Sequence, residues 1–162
     1  LIYYSYEFYY KALLLKKNDY DKLFFVSDLK NGRIKMSKIK EGYKYTESDE
    51  WVKIDGNEII IGITDYAQMH MGDIVFVEMK DAGTPIKKGE VLTVVESVKS
   101  ASDIYSPITG ELIETNPALE QDAAIVNQDP YDKGWIAKVK ASNMQELDQL
   151  MDHLAYEQYR KE

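Results

Sequence analysis

The sequence predicts a mainly β protein, a small barrel or sandwich of short strands with brief helices and a C-terminal helix. From residue 43 onward, short runs rich in β-branched and apolar residues are separated by glycine, proline, asparagine and aspartate, the punctuation of strands joined by turns. Two such runs flank one lysine, Lys99. Beyond residue 142 the apolar spacing changes from two to three and four, which marks a helix.

Tyr45-Thr46-Glu47 and Trp51-Val52-Lys53-Ile54 read as strand, Asp55-Gly56-Asn57 as a turn and Glu58 to Ile63 as the returning strand, together a hairpin. Asp65 to Met71 is rich in helix formers, and Gly72 ends it. Ile74 to Met79 is the next strand, with Val75, Val77 and Met79 predicted on one face and Ile74, Phe76 and Glu78 on the other. Asp81 to Pro85 is a loop, and Lys87-Lys88-Gly89-Glu90 turns the chain into the strand before Lys99. Val91, Thr93 and Val95 alternate there with Leu92, Val94 and Glu96, while Asp103-Ile104-Tyr105 follows Lys99 and runs into Ser106-Pro107, where proline stops strand pairing. Lys99 is therefore expected at or near a hairpin tip. Glu111 to Glu114 and Trp135 to Val139 are two further strands. Leu147, Leu150, Met151, Leu154 and Ala155 then form one apolar helical face, with Asn143 and Glu146 as its capping box, or Ser142 and Gln145 in the competing register. His153 falls outside that stripe.

The chain has 162 residues, 44% of them hydrophobic, enough to bury one ordinary core. Its net charge of -8 is unevenly spread. Residues 1–40 hold nine Lys/Arg against four Asp/Glu, and residues 41–162 hold 11 against 24. Residues 1–40 are accordingly read as a leader or poorly ordered N-terminal extension, and residues 41–162 as the folded domain. The acidic region lacks a basic patch, so nucleic acid is not an expected partner. No apolar run approaches the roughly 20 residues of a membrane span. With no cysteine and only two distant histidines, His70 and His153, the chain is expected to hold no metal and to have no thiol chemistry of its own.

Val-Glu-Ser-Val-Lys-Ser-Ala-Ser-Asp-Ile-Tyr-Ser-Pro, residues 95–107, closely resembles the lipoyl-lysine segment of the glycine cleavage system H protein family. Further matching pieces occur in the same order: Tyr45-Thr46, Glu50-Trp51-Val52, Gly62-Ile63-Thr64, Tyr66-Ala67-Gln68, the run from Gly72 to Glu78, Val126-Asn127, Asp129-Pro130-Tyr131 and Gly134-Trp135. The resemblance covers residues 43 to 156 and implies the barrel-sandwich hybrid of lipoyl and biotinyl carriers. Biotin carriers flank their lysine with methionine, whereas Val98 and Ser100 flank Lys99, so lipoate is the implied covalent cofactor.

The resemblance further implies a non-catalytic shuttle. The lipoyl arm on Lys99 takes an aminomethyl group from the pyridoxal-phosphate glycine decarboxylase (P protein) and delivers it to the tetrahydrofolate-dependent aminomethyltransferase (T protein). Dihydrolipoamide dehydrogenase (L protein) then reoxidises the arm. A lipoyl ligase or transferase attaches lipoate, with Glu96 as a recognition residue. Ser97, Ser100 and Asp103 read as polar residues of the attachment turn, Asp103 also as a contact of the attachment loop or an incoming enzyme, and Glu50 and His70 are implied to line a cleft that shelters the loaded arm. Each also has a plainer reading, as turn residues, a strand-edge charge and a helix-end histidine. The chain is expected to act as a monomer. The family, with the basic N-terminal segment, implies a mitochondrial location. Two departures stand out: Asp49 replaces the usual histidine, and Ala123 falls where proline is common. Repulsion between Asp49 and Glu50 is expected to favour proton uptake by one of them. The alternatives are an unmodified H-like binding or lipoate-relay protein, or a lipoyl domain of another complex.

Overall fold

The structure, a computed structural model, describes residues 21–28 and 33–160. The expectations for residues 1–20 lie outside it. β1 (Asp21–Asp28) and β2 (Arg33–Lys40) form an antiparallel ribbon within the segment read from sequence as a leader or poorly ordered extension. The end of β2 is fastened to the main domain. Ser37 and Ile39 are buried, the Tyr131 hydroxyl donates to the Lys38 carbonyl at 2.6 Å, and Lys40 pairs with Asp132 at 2.7 Å.

Two sheets then face each other as a sandwich, in keeping with the mainly β expectation. The larger has the order β3-β4-β5-β11-β10-β7, built from β3 (Lys44–Tyr45), β4 (Glu50–Asp55), β5 (Glu58–Ile63), β7 (Pro85–Ile86), β10 (Gly110–Thr115) and β11 (Ala137–Ala141). The smaller is β6-β8-β9: β6 (Ile74–Val77), β8 (Val91–Ser97) and β9 (Ala101–Tyr105). The predicted hairpin of β4 and β5 is present, with Asp55 opposite Glu58 around the Gly56 turn. Ile59, Ile61 and Ile63 alternate inward from β5 and meet Leu92, Val95, Ile104, Leu112 and Val139 in one core.

A second core is aromatic. Tyr45, Trp51, Tyr131 and Tyr156 are buried together with Ile39, and Tyr45 stacks on Tyr156 with centroids 4.6 Å apart. The Trp51 indole N–H donates to the Pro130 carbonyl at 3.0 Å, which satisfies its polar handle. Two side chains here are hard to ionise: burial pushes the phenols of Tyr131 and Tyr156 well above the ordinary tyrosine range.

Three local expectations are corrected. A β-bulge between Ile74 and Phe76 breaks the alternation of β6, so Ile74 and Val77 are buried while Val75 and Phe76 are both exposed. The last strand starts at Ala137 rather than Trp135, whose ring instead carries the Lys138 ammonium at 4.5 Å. The C-terminal stripe is not one helix. A 3-10 helix (Met144–Gln149), capped by Asn143 through the Gln145 amide, gives way to an extended step at Met151, which bridges Tyr45. Only then does α4 (His153–Tyr159) begin, capped by Asp152, and it buries Tyr156 while Leu154 stays exposed. Bridging to β3 satisfies the Met151 backbone at 2.9 Å in both directions, and this tertiary pairing overrides the helical period. The shorter helices are α1 (Asp65–Met71), α2 (Ala118–Gln121) and α3 (Ile125–Gln128).

Gly62 lies directly opposite Trp51 in the β4–β5 ladder, and a Cβ there would stand 2.5 Å from the indole ring. The ring is walled in by Tyr43 and Tyr131, so it has no free direction of retreat. Gly62→Ala is expected to destabilise the protein by about 1–3 kcal/mol, the usual cost of overpacking. Urea unfolding followed by tryptophan fluorescence measures this, and an unchanged midpoint would contradict it.

Candidate functional site

Lys99 stands at the tip of the β8–β9 hairpin, as its flanking strands predict. Its turn is closed almost entirely by Ser97. The Ser97 amide donates to the Ser100 carbonyl at 2.8 Å, and the Ser97 hydroxyl oxygen accepts from the amides of Lys99 and Ser100, each at 3.2 Å. Ser100 thus contributes through its backbone. The Val98 amide donates to the Asp73 carbonyl at 3.0 Å, which braces the turn against the loop between α1 and β6. Gly72, in that loop, has φ +81°, and a Cβ on it would lie 3.7 Å from both Cε and Nζ of Lys99. The lysine stem therefore runs over a residue without a side chain while remaining exposed. Sequence reading treated Gly72 only as a helix stop, and nothing in its local pattern signals the second role.

Glu96 pairs with Phe76 on one side and Ala101 on the other, and all three are exposed on the outer face of the smaller sheet. Asp103 lies opposite Val94 and is exposed. His70 sits in the last turn of α1, its Nδ1 2.8 Å from the Tyr66 carbonyl oxygen and its ring 4.1 Å from the Tyr66 ring.

Glu50 is in a different environment. Only 1% exposed, its carboxylate accepts from the Tyr105 amide at 3.0 Å, from the Ser48 hydroxyl at 2.6 Å and from the Thr46 hydroxyl. A buried carboxylate is costly unless donors replace its water, and these three do so. Beside it opens a cleft of about 280 Å³ whose walls include Thr46, Ser48, Glu50, Tyr105, Pro107 and Leu150. His70 and Lys99 do not line this cleft; the path to it from the lysine turn follows β9, about 13 Å at an extended strand's rise.

The turn carrying Ser48 and Glu50 is held from the far end of the chain. Asp49 adopts φ +75°, a conformation that aspartate tolerates better than most residues. Its carboxylate accepts from the Tyr156 hydroxyl at 2.5 Å and pairs with Arg160 at 2.5 Å, while Arg160 also donates to the Glu47 carbonyl at 2.8 Å. The guanidinium lies 4.6 Å from the ring centroids of both Tyr66 and Tyr159. Sequence reading flagged Asp49 but missed these partners, more than a hundred residues away. The Asp49 carboxyl is pushed above the ordinary range chiefly by burial; Tyr156 and Arg160 favour the ionised form without offsetting it, and repulsion from Glu50 adds least. Burial, more than the expected repulsion, is therefore the main cause.

The glycine cleavage H-protein family model matches residues 43–162. The chain belongs to the glycine cleavage H-protein family. A glycine cleavage system H protein from Thermus thermophilus is 49% identical over 114 residues, covering 70% of this chain and 89% of that one. Another from Carboxydothermus hydrogenoformans is 47% identical over 127 residues, covering 78% and 98%. The crystal structure of the H protein from Mycobacterium marinum superposes with a TM-score of 0.70 at 31% identity, spanning 76% of this chain and 100% of that one. As an H protein the chain is a lipoyl carrier that shuttles intermediates among the components of the glycine cleavage system, a non-catalytic subunit. The mitochondrial location is corrected: the similar H proteins from Thermus thermophilus and Carboxydothermus hydrogenoformans are bacterial, which points away from a mitochondrion.

The raised Asp49 carboxyl fixes the sign of a pH effect. Its ordinary value is 3.8, so in the window just above this the folded state retains a proton that the unfolded state has lost. The associated stability is fully present below pH 3.8 and is lost as pH rises through the folded value. Asp49→Asn cannot ionise, so its stability relative to wild type is expected to rise from acid toward neutral pH. Denaturant midpoints of both proteins across that range test this; a constant difference would refute it.

Proposed function

We propose that Lys99 carries lipoate in amide linkage and presents it in turn to the three enzymes of glycine cleavage. The single observation that carries this reading is the lysine turn: an exposed Lys99 at the tip of a hairpin closed by Ser97 and braced by Asp73. A lysine amine is ordinarily a cation at neutral pH; acylation of Nζ by an activated lipoyl carboxyl, such as an acyl adenylate, breaks the carbonyl–phosphate bond, expels the nucleotide, forms the amide, releases protons and removes that charge. Exposure of Nζ above Gly72 suits such a linkage, because the stem has room and the amine faces solvent. When bound, lipoate supplies a dithiolane whose sulfur accepts and releases the aminomethyl group.

The chain's own residues do the rest. Ser97 and Ser100 fix the turn, Glu96 and Asp103 offer carboxylates on the same sheet to lipoyl ligase or transferase, and His70 stands at the end of the helix that Gly72 terminates. Glu50, Ser48 and Thr46 wall the cleft at the other end of β9 in which the loaded arm is sheltered. Glu50 already accepts three hydrogen bonds, so its part is to shape the cleft and offer its remaining acceptor capacity to an amine. Tethering raises the local concentration of the reactive group at each partner, namely glycine decarboxylase (P protein), aminomethyltransferase (T protein) and dihydrolipoamide dehydrogenase (L protein). The carrier unit is residues 41–162, with residues 37–40 packed against it.

Intact and peptide mass spectrometry after incubation with a competent lipoyl ligase, lipoate and ATP tests the assignment. One lipoyl increment is expected, confined to the peptide containing Lys99 and absent from Lys99→Arg. An unmodified Lys99, or modification of another lysine, would overturn it.

A further inference from the structure

We infer that Asn127 is a positioning residue for Lys99, acting through a two-point grip on the segment from Gly72 to Ile74. The inference rests on Lys99 being the lipoyl carrier. Asn127 lies on α3, well away from Lys99 in sequence, yet its side-chain amide spans both ends of that segment. Its Oδ1 accepts from the Ile74 amide at 2.8 Å, and its Nδ2 donates to the Gly72 carbonyl at 2.9 Å. The remaining Nδ2 hydrogen goes to Gln68 Oε1 at 2.9 Å. This donor and acceptor pattern also settles the orientation of the amide: reversed, it would set N–H against N–H at Ile74 and oxygen against oxygen at Gly72.

Gripping Gly72 and Ile74 leaves the peptide between them one direction. The Asp73 carbonyl is turned outward, where it accepts the Val98 amide at 3.0 Å, one residue before Lys99. Gly72, the other gripped residue, lies beneath the Lys99 stem. Both supports of the lysine turn are thus reached by a single side chain, which adds to the helix-cap bond from the Gly72 amide to the Gln68 carbonyl. The grip is itself backed up: Gln68 is buried and donates to Asp65 Oδ1 at 2.6 Å, while Asp65 Oδ2 accepts from the Lys38 amide at 2.7 Å. Asn127 is therefore held by α1 and, through it, by the end of β2. The consequence is a lysine whose backbone is fixed before the lipoylating enzyme arrives, so that enzyme need not order the turn.

Asn127→Asp keeps the acceptor for Ile74 but sets a carboxylate oxygen against the Gly72 carbonyl and Gln68 Oε1. Steady-state lipoylation by a lipoyl ligase is expected to lose about ten- to a hundredfold in kcat, the scale of a misplaced reacting group, with the KM for the carrier little changed. Hydrogen exchange at the Val98 amide is expected to quicken. Gln68→Met, which removes the backing while leaving both grips, should show a smaller loss in kcat and slower exchange than Asn127→Asp. It also decides the matter if Asn127→Asp does not fold. Glu114→Gln, which breaks the partly exposed pair with Lys138 on the larger sheet, controls for general destabilisation and should lipoylate as wild type does. Folded variants with wild-type kcat and Val98 exchange would overturn the inference. A wild-type protein that takes up no lipoate would instead defeat the carrier reading, and Val98 exchange, which needs no lipoate, would still judge the grip.

Discussion

A single buried carboxylate joins the two sheets where the lysine hairpin ends. Glu50 starts β4 in the larger sheet, and its Oε1 accepts the backbone amide of Tyr105 at the close of β9 in the smaller one. Hydrogen bonds to a charged group are worth about 1.5–3 kcal/mol each, against a desolvation cost of several kcal/mol for a buried ion. The bond to Tyr105 alone does not meet that cost; the hydroxyls of Thr46 and Ser48 are needed as well. The placement of the carboxylate therefore requires the tight turn before it, and the turn requires Asp49 in its left-handed conformation. From Asp49 the dependence runs to Tyr156 and Arg160 at the other end of the chain. A charge that must be satisfied thus links β9, the β3–β4 turn and the C-terminal helix.

The hairpin is consequently secured at both ends by different means. At the Tyr105 end a side-chain carboxylate reaches a backbone amide; at the Lys99 end the brace to the neighbouring loop is backbone to backbone, Val98 to Asp73, while the neutral Ser97 hydroxyl closes the turn itself. This difference suits what each end exposes. A carboxylate in that bracing position would pair with the Lys99 amine, whereas the neutral Asp73 carbonyl braces the turn through the Val98 amide. The carboxylates of Glu96 and Asp103 sit lower on the sheet, exposed, where each is screened by water.

What the sequence made legible was mostly local. β-Branched alternation placed β8 and β9, Gly56 placed the β4–β5 turn, and Pro107 marked the end of β9, since each depends on residues within a few positions of one another. The lysine tip came from the same signals. The bulge in β6 was not legible, because an extra residue leaves no mark in a run of apolar side chains that reads equally well in either register. Neither was the break in the C-terminal stripe, where Leu147, Leu150 and Met151 keep helical spacing although Met151 is taken by Tyr45. The polar links that shape the site were the least visible. Asp49 to Arg160 and Asn127 to Gly72 join residues that no spacing rule connects, and only Asp49, as a second acid beside Glu50, drew attention to itself.

Asp49 shows how a buried charge can be met from a distance. An acid at this position, next to Glu50, adds a negative charge where one is already buried, and alone it would weaken the turn. Arg160 and Tyr156 meet that charge, but they do not cancel the cost of burial, which is why the carboxyl remains harder to ionise than in water. The guanidinium is held between Tyr66 and Tyr159, so the cation that serves Asp49 also packs against α1, the helix that ends at Gly72 beneath Lys99. Asn127 reaches the C-terminal end of that helix through Gln68 and Gly72. α1 is therefore the element on which both supports converge, at Tyr66 from the Glu50 turn and at Gln68 and Gly72 from the lysine turn.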